Sequence, residues 1–130
     1  MIDESAFDWS KYTILIAEDD ECNFVLLKFM FLATKVNILR AENGVDAVTL
    51  CRSNQQIDLV LMDVKMPIMD GIEATRTIKS FRSNLPIIMQ TAHILEEVKL
   101  NCYDAGCDEF FTKPFDEEKF YSVIETFFKR

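Results

Sequence analysis

The sequence predicts an α/β fold: a doubly wound, five-stranded parallel sheet with helices on both faces. Five short apolar runs alternate along the 130 residues with segments whose apolar positions follow the helical period. Strands that alternate with helices in this way form parallel sheets with right-handed crossovers. Polar residues close each apolar run, as expected where strands end at a common edge. For five strands, the arrangement favours the order 2-1-3-4-5.

The composition limits the classes of function. With 49% hydrophobic residues, the chain can bury a sizeable core as one domain. A net charge of −8 disfavours binding to nucleic-acid backbones or anionic membranes. No apolar run reaches the length of a membrane span and no secretory signal opens the chain, so we expect a cytoplasmic protein. The four cysteines lack the spacing of metal sites, and we expect reduced core residues.

The amino-terminal segment differs from the rest. Residues 1–10 are acidic and unpatterned, which indicates a linker or terminal tail before a domain at 11–130. Trp9 is one of its two aromatic residues and could pack back onto that domain.

The strands are short apolar runs bounded by turn residues or charges. The predicted strands are residues 13–17, 36–41, 57–62, 87–90 and 109–112. The helices follow from apolar spacing, from N-caps such as Asp20 and Asp116, and from a glycine stop at Gly106. The predicted helices are approximately residues 20–34, 45–52, 71–81, 94–104 and 116–128.

Two helix surfaces need interpretation. The first helix is apolar on more than one side, with Val25, Phe29 and Leu32 away from its main stripe. That side is either covered by loops or by the Trp9 segment, or it is a docking surface for partner helices. The basic residues of the third helix, including Lys79 and Arg82, are expected to form a solvated face.

Functional side chains follow four of the strands. Glu18 and Asp19 follow the first strand, Asp63 the third, Thr91 the fourth and Lys113 the fifth. In a parallel sheet they share one edge, where three carboxylates would repel one another unless a cation lay among them. An all-oxygen ligand set suits Mg²⁺. The Thr91 hydroxyl and the Lys113 ammonium could hold the oxygens of a phosphoryl group carried covalently by Asp63. Taken alone, Asp63 could equally be a turn or capping residue.

These motifs resemble the receiver (response regulator, CheY-like) domains of two-component signalling, over about residues 11–130. The matching motifs are Ile16-Ala17-Glu18-Asp19-Asp20, Met62-Asp63-Val64-Lys65-Met66-Pro67 with Met69-Asp70-Gly71, Thr91-Ala92, and Thr112-Lys113-Pro114-Phe115. The resemblance implies a flavodoxin-like three-layer α/β sandwich. It also implies a domain that accepts a phosphoryl group from a histidine kinase or a histidine phosphotransfer domain and switches conformation to regulate a partner in a phosphorelay.

The resemblance assigns roles to individual residues. Asp63 resembles the phospho-acceptor. Asp19 resembles the direct metal ligand of the acidic pair, with Glu18 acting largely through water and the backbone carbonyl of Lys65 completing the protein's share. The implied cofactor is Mg²⁺, for which Mn²⁺ could substitute. The domain is expected to catalyse only its own Mg²⁺-dependent phosphorylation and dephosphorylation, without being a free-standing turnover enzyme.

Further positions match the family's switching elements. Thr91 resembles the switch hydroxyl, Lys113 the lysine that pairs with the phosphoryl group, Phe110 the mobile aromatic residue, and Pro114 the proline after a cis peptide bond. A glutamate that leads the acidic pair and the run Thr91-Ala92-His93 also resemble receivers fused behind sensor histidine kinases. The chain is therefore either a stand-alone regulator or a cytoplasmic segment of a hybrid kinase, without direct contact to nucleic acid or membrane.

Three other classes of protein fit less well. A haloacid-dehalogenase-like phosphatase needs a second aspartate two residues after the first, where this chain has Lys65. A flavodoxin-like electron carrier needs a hydroxyl-rich phosphate loop, whereas the loop here begins with Glu18 and Asp19 and would repel phosphate. A purely structural module that had lost phosphorylation would lack one of the five site residues, and all five are present.

Overall fold

Five parallel strands form one sheet in the order β2-β1-β3-β4-β5 in the computed structural model, which describes residues 7–92 and 95–129. The strands are β1 (Thr13–Ala17), β2 (Asn37–Ala41), β3 (Leu59–Asp63), β4 (Ile87–Thr91) and β5 (Glu109–Thr112). The predicted fold class and strand order are confirmed.

Four helices connect the strands and a fifth follows β5: α1 (Glu21–Met30), α2 (Gly44–Ser53), α3 (Gly71–Phe81), α4 (Glu96–Asp104) and α5 (Glu117–Phe128). Four of them begin at a side chain that accepts the backbone N–H three residues on, which confirms the predicted caps at Asp20 and Asp116. The other two such caps are Asn43 and Asp70. No helix in the described part of the chain is long and apolar enough to cross a membrane.

The first helix is shorter than predicted. It ends at Met30 instead of continuing to about Thr34, and a turn of 3₁₀-helix follows at Leu32–Thr34. The Thr34 hydroxyl donates to the Phe31 carbonyl at 2.6 Å, and Lys35 has a left-handed backbone conformation (φ 64°) that stops the helix. The fourth helix was expected from about residue 94, which lies outside the described residues.

The two faces of the sheet bury different helices. Alternate residues of the central strands, such as Val60 and Met62, pack against α2, α3 and α4. The residues between them, such as Leu59 and Leu61, pack against α1 and α5. This burial on both faces is why the strands read as nearly continuous apolar runs.

The amino-terminal segment packs onto the domain. Trp9 is fully buried, and its indole N–H donates to the Glu125 carboxylate of α5 at 3.0 Å. Its ring lies 5.3 Å from that of Phe128 and 6.2 Å from that of Phe31, measured between centroids. The expectation that Trp9 packs back onto the domain is confirmed, and the boundary at residue 11 stays a prediction. Residues 1–6 lie outside the described part of the chain.

Two expectations about polar and cysteine side chains were wrong. Lys79 donates to the Asp108 carboxylate and to the Leu85 carbonyl, each at 2.7 Å, and Arg82 donates to three backbone carbonyls. Both side chains therefore fix loops at the amino-terminal edge of the sheet. Three cysteines are buried as expected, whereas Cys22 on α1 is exposed.

We predict that replacing Trp9 destabilises the whole domain. Trp9→Ala should lower the free energy of unfolding by about 3–5 kcal/mol because it leaves a large cavity between α1 and α5. Trp9→Phe, which keeps most of the packing but loses the bond to Glu125, should cost less. Urea unfolding followed by far-UV circular dichroism measures both, with Leu26→Ala on the exposed face of α1 as the control. A Trp9→Ala cost no greater than the control's would refute this role.

Candidate functional site

The acidic residues meet at the carboxyl edge of the sheet. β1 and β3 are hydrogen-bonded neighbours with Ala17 opposite Met62, so the residues that follow the two strands lie side by side. Carboxylate oxygens of Glu18, Asp19 and Asp63 all lie within 4.8 Å of one another. Glu18 is buried, Asp63 is half-buried and Asp19 is exposed. The three predicted acidic site residues are therefore close together.

A lysine reaches this cluster from the far strand. Lys113 directly follows β5, and its ammonium nitrogen lies 3.2 Å from a carboxylate oxygen of Glu18. Its backbone N–H donates to the Thr91 carbonyl at 2.9 Å, which holds the ends of β4 and β5 together. The Lys113–Pro114 peptide bond is cis, as the resemblance implied.

The Asp63 carboxyl has a strongly perturbed acidity. Its pKa is raised to about 7, chiefly because the group is partly buried and next because of the negative charge of Glu18. The nearby Lys113 ammonium lowers this pKa but does not offset the other two effects. The ammonium of Lys113 therefore does not neutralise all the negative charge of the three carboxylates.

The donor chemistry fits a hard divalent cation. All three clustered ligands are carboxylates of different burial, and an all-oxygen set of this kind is what Mg²⁺ prefers. Lys65 lies two residues beyond Asp63 on the exposed loop between β3 and α3, where its backbone carbonyl stays a predicted ligand.

Two close backbone contacts hold the loop that follows Asp63. The Gly71 N–H donates to the Val64 carbonyl at 2.8 Å, and a Cβ at Gly71 would lie 2.0 Å from the Asp63 carbonyl oxygen. The Gly44 N–H donates to the Met69 carbonyl at 2.9 Å, and a Cβ there would lie 2.3 Å from the same oxygen. No side chain fits at either position, so the main chain around Asp63 is fixed by glycine at both contacts.

The remaining predicted residues lie nearby. Thr91 is a buried residue at the end of β4, one position beyond Gln90, the residue opposite Asp63 in the sheet. Phe110 lies on β5 and is half-buried against the core beneath α2, α3 and α4. His93, which belongs to the run resembling hybrid kinases, lies outside the described residues.

One site residue escaped the sequence analysis. Arg40 on β2 donates to the backbone carbonyl of Glu18 from two of its nitrogens, each at 3.2 Å, and forms an ion pair with Glu21. Nothing in the local pattern of β2 distinguishes this arginine from a solvated residue, because its hydrogen-bond partners lie 19 or more positions away.

Comparisons with known proteins agree with this geometry. The model of the response regulator receiver domain family matches residues 14–125. Histidine kinase 5 of Arabidopsis thaliana is 33% identical over 91% of this chain and 16% of its own length. The polar-differentiation response regulator DivK of Brucella anthropi is 28% identical over 88% of this chain and 94% of its own length.

A solved structure extends the comparison to the fold. The receiver domain of a sensor histidine kinase from Pseudomonas aeruginosa, with a magnesium ion coordinated in its active-site cleft, superposes with a TM-score of 0.83. It is 28% identical and the match covers 92% of this chain and 98% of that domain. The chain spans only a small part of the histidine kinases it matches, 16% in the case just given. By its family match, its sheet and its acidic cluster, the chain belongs to the response regulator receiver domains of two-component signalling.

Proposed function

We propose that this receiver domain accepts a phosphoryl group on Asp63 from a histidine kinase or a histidine phosphotransfer domain, with Mg²⁺ held by Glu18, Asp19 and Asp63. The observation that carries the proposal is the cluster of three carboxylates within 4.8 Å with the Lys113 ammonium beside it. A cluster of this charge has affinity for a cation and, once neutralised, for phosphoryl oxygens.

Phosphoryl transfer requires an ionised, correctly placed nucleophile. An oxygen of the Asp63 carboxylate forms a bond to phosphorus while the P–N bond to the donor imidazole breaks, and the electron pair of that bond stays on the nitrogen. Bound Mg²⁺ supplies charge neutralisation for the carboxylates and the phosphoryl oxygens. Lys113 lowers the pKa of Asp63 and is close enough to the cluster to donate to a phosphoryl oxygen.

The metal ligands differ in what they contribute. Glu18 is buried and is held by Lys113 on one carboxylate oxygen and by the backbone N–H of Asp20 on the other, at 3.2 Å in each case. The exposed Asp19 and the half-buried Asp63 offer free approach for a cation. The carbonyl of Lys65 would complete the set, and because every ligand is an oxygen, Mn²⁺ could replace Mg²⁺.

Phosphorylation would switch the domain through Thr91 and Phe110. The added charge at Asp63 attracts the Thr91 hydroxyl, and Phe110 on the adjacent strand turns into the space that is vacated. Such a change shifts a population between two conformations and is worth about 1–3 kcal/mol of coupling. The surface altered would be the one formed by α4, β5 and α5.

Donor helices would dock on α1. Three of its apolar side chains are exposed, namely Val25 (51%), Leu26 (64%) and Phe29 (73%), and so is Leu32 (68%) in the 3₁₀ turn that follows. Trp9 packs instead against Phe31 and α5. A cleft of about 370 Å³ between α1 and the segment after Lys113 continues this apolar surface towards the acidic cluster. An exposed patch of this kind suits an amphipathic helix that delivers a phosphohistidine.

The setting of the domain is also part of the proposal. Relatives include stretches of histidine kinases and a response regulator matched over nearly its whole length. We propose a cytoplasmic receiver, either free-standing or within a hybrid kinase, whose only catalysis is the formation and hydrolysis of its own aspartyl phosphate. Its net charge of −8 disfavours direct contact with nucleic acid or anionic membranes.

The acceptor assignment predicts a single phosphorylation that requires a divalent cation. Incubation with acetyl phosphate and Mg²⁺ should add one phosphate, detected by intact mass spectrometry. The adduct should be absent from Asp63→Asn and from wild type in EDTA, should return with Mn²⁺, and should persist in the surface control Asp104→Asn. A stable adduct on Asp63→Asn would show that the acceptor has been misassigned.

The raised pKa of Asp63 predicts a pH-dependent stability in EDTA. Between about pH 4 and pH 7 the folded protein holds a proton that the unfolded chain has lost, so wild-type stability falls as pH rises. Asp63→Asn should therefore be more stable than wild type at pH 8 by about 1–2 kcal/mol, with allowance for partial exposure. Urea unfolding should show this gain disappearing towards pH 4. A gain that does not depend on pH would rule out Asp63 as its source.

The switching proposal predicts where beryllofluoride alters the NMR spectrum. With Mg²⁺ present, resonances of Thr91, Phe110 and the α4–β5–α5 surface should shift, because the phosphate mimic draws in the Thr91 hydroxyl. In Thr91→Ala the shifts should be confined to residues around Asp63. The same confinement in wild type would contradict switching.

The docking surface predicts a defect specific to protein donors. Phe29→Ala should slow phosphotransfer from a histidine kinase or phosphotransfer domain about tenfold, a loss typical of one anchoring aromatic residue. Its rate with acetyl phosphate should not change, because Phe29 is exposed on α1 and forms no part of the acidic cluster. Leu100→Ala, an exposed apolar truncation on α4, is the matched control. Equal losses with both kinds of donor would indicate a folding defect instead.

A further inference from the structure

Arg40 fastens the loop that carries two of the proposed metal ligands. Its Nε and Nη2 atoms each lie 3.2 Å from the Glu18 carbonyl oxygen, and Nη2 lies 3.5 Å from that of Asp19. The Glu18 N–H in turn donates to the Ala41 carbonyl at 2.9 Å. The main chain between β1 and α1 is thus tied to β2 through both its N–H and its carbonyl groups.

The same side chain also reaches the first turn of α1. Its Nη1 atom forms an ion pair with Glu21, and its guanidinium carbon lies 4.5 Å from the centre of the Phe24 ring. Only 19% of the Arg40 side chain is exposed. One half-buried arginine therefore connects β2, the acidic loop and α1, using the planar, multi-donor geometry that a lysine lacks.

We infer that Arg40 is a positioning residue for the metal site, which raises Mg²⁺ affinity by holding Glu18 and Asp19 in place before the cation binds. The inference rests on the proposed function of the acidic cluster. Three carboxylates within 4.8 Å repel one another, and a loop free to move would relieve that repulsion by separating them. Fixing the loop in advance removes this cost from the binding step.

The charge of Arg40 acts in the opposite direction, since a cation near the site repels Mg²⁺. That repulsion is weakened because Glu21 pairs with the guanidinium and Glu42 lies 3.9 Å from it. The hydrogen bonds to the loop carbonyls depend instead on the position of the guanidinium. Positioning therefore outweighs repulsion, and loss of the side chain should weaken Mg²⁺ binding. Removal of residues that orient metal ligands typically lowers affinity 10–100-fold.

The test is an NMR titration of Mg²⁺ into the intact domain, without any phosphodonor. Arg40→Met keeps the aliphatic stem over Phe24 and should bind Mg²⁺ about tenfold more weakly than wild type. Arg40→Lys keeps the charge without the fork of donors, so its affinity should fall too. Glu42→Gln leaves the hydrogen bonds between Arg40 and the loop carbonyls in place, so its affinity should fall far less than that of either arginine variant. The loss should persist at high ionic strength, where an effect of charge alone would shrink.

A second readout reports the loop without metal. In EDTA, the Asp20 amide, which donates to the Glu18 carboxylate at 3.2 Å, should exchange with solvent faster in Arg40→Met than in wild type. Wild-type affinity or tighter binding in both arginine variants would overturn the inference while leaving the metal site intact. If wild type itself shows no saturable Mg²⁺ binding, the proposed metal site falls, and this inference with it. If Arg40→Met does not fold, the Arg40→Lys titration decides.

Discussion

Folding brings the carboxylates of Glu18, Asp19 and Asp63 within 4.8 Å of one another, which costs electrostatic free energy wherever no cation lies among them. The pKa of Asp63 is raised chiefly because the group is partly buried and next because of the negative charge of Glu18. The fold tolerates the electrostatic cost because the apolar faces of a sheet buried on both sides supply the stability. The carboxyl edge of the sheet is left with an excess of negative charge, which Lys113 neutralises in part. The proposed Mg²⁺ would supply the rest of that positive charge and would also neutralise the oxygens of an incoming phosphoryl group.

Two basic side chains contact the loop that carries Glu18 and Asp19, and they do so in different ways. Lys113 bonds the carboxylate of Glu18, so its contact is open to exchange when a phosphoryl group arrives. Arg40 bonds the main chain of the same residue and is tied to α1, so its contact is part of the scaffold. Surface ion pairs of ordinary geometry contribute little to stability. The side chains of Lys113 and Arg40, however, are half-buried and form hydrogen bonds to groups that the fold holds in place. Under the proposed function, Lys113 would take part in the reaction, whereas Arg40 would position the loop beforehand.

Much of the fold and most of the candidate site could be predicted from the sequence, because each feature depends on neighbours in the chain. Apolar runs located the strands, and a polar residue after each run located the carboxylates, Thr91 and Lys113. What the sequence analysis missed or misjudged includes contacts between distant residues, since Arg40 and Arg82 bond carbonyls of other loops. The end of α1 was also misplaced, because a 3₁₀ turn follows Met30 where the apolar pattern continues.

The contacts at Gly44 and Gly71 restrict movement of the loops on one side of Asp63 more than on the other. On one side of Asp63, neighbouring loops touch backbone to backbone, with no room for even a methyl group. That half cannot shift without breaking its hydrogen bonds to Met69 and Val64. We propose that a displacement that follows phosphorylation of Asp63 is absorbed instead on the opposite side, by the ends of β4 and β5. On that proposal, the two glycine positions, which carry no side chain, would set the direction in which a signal leaves this domain.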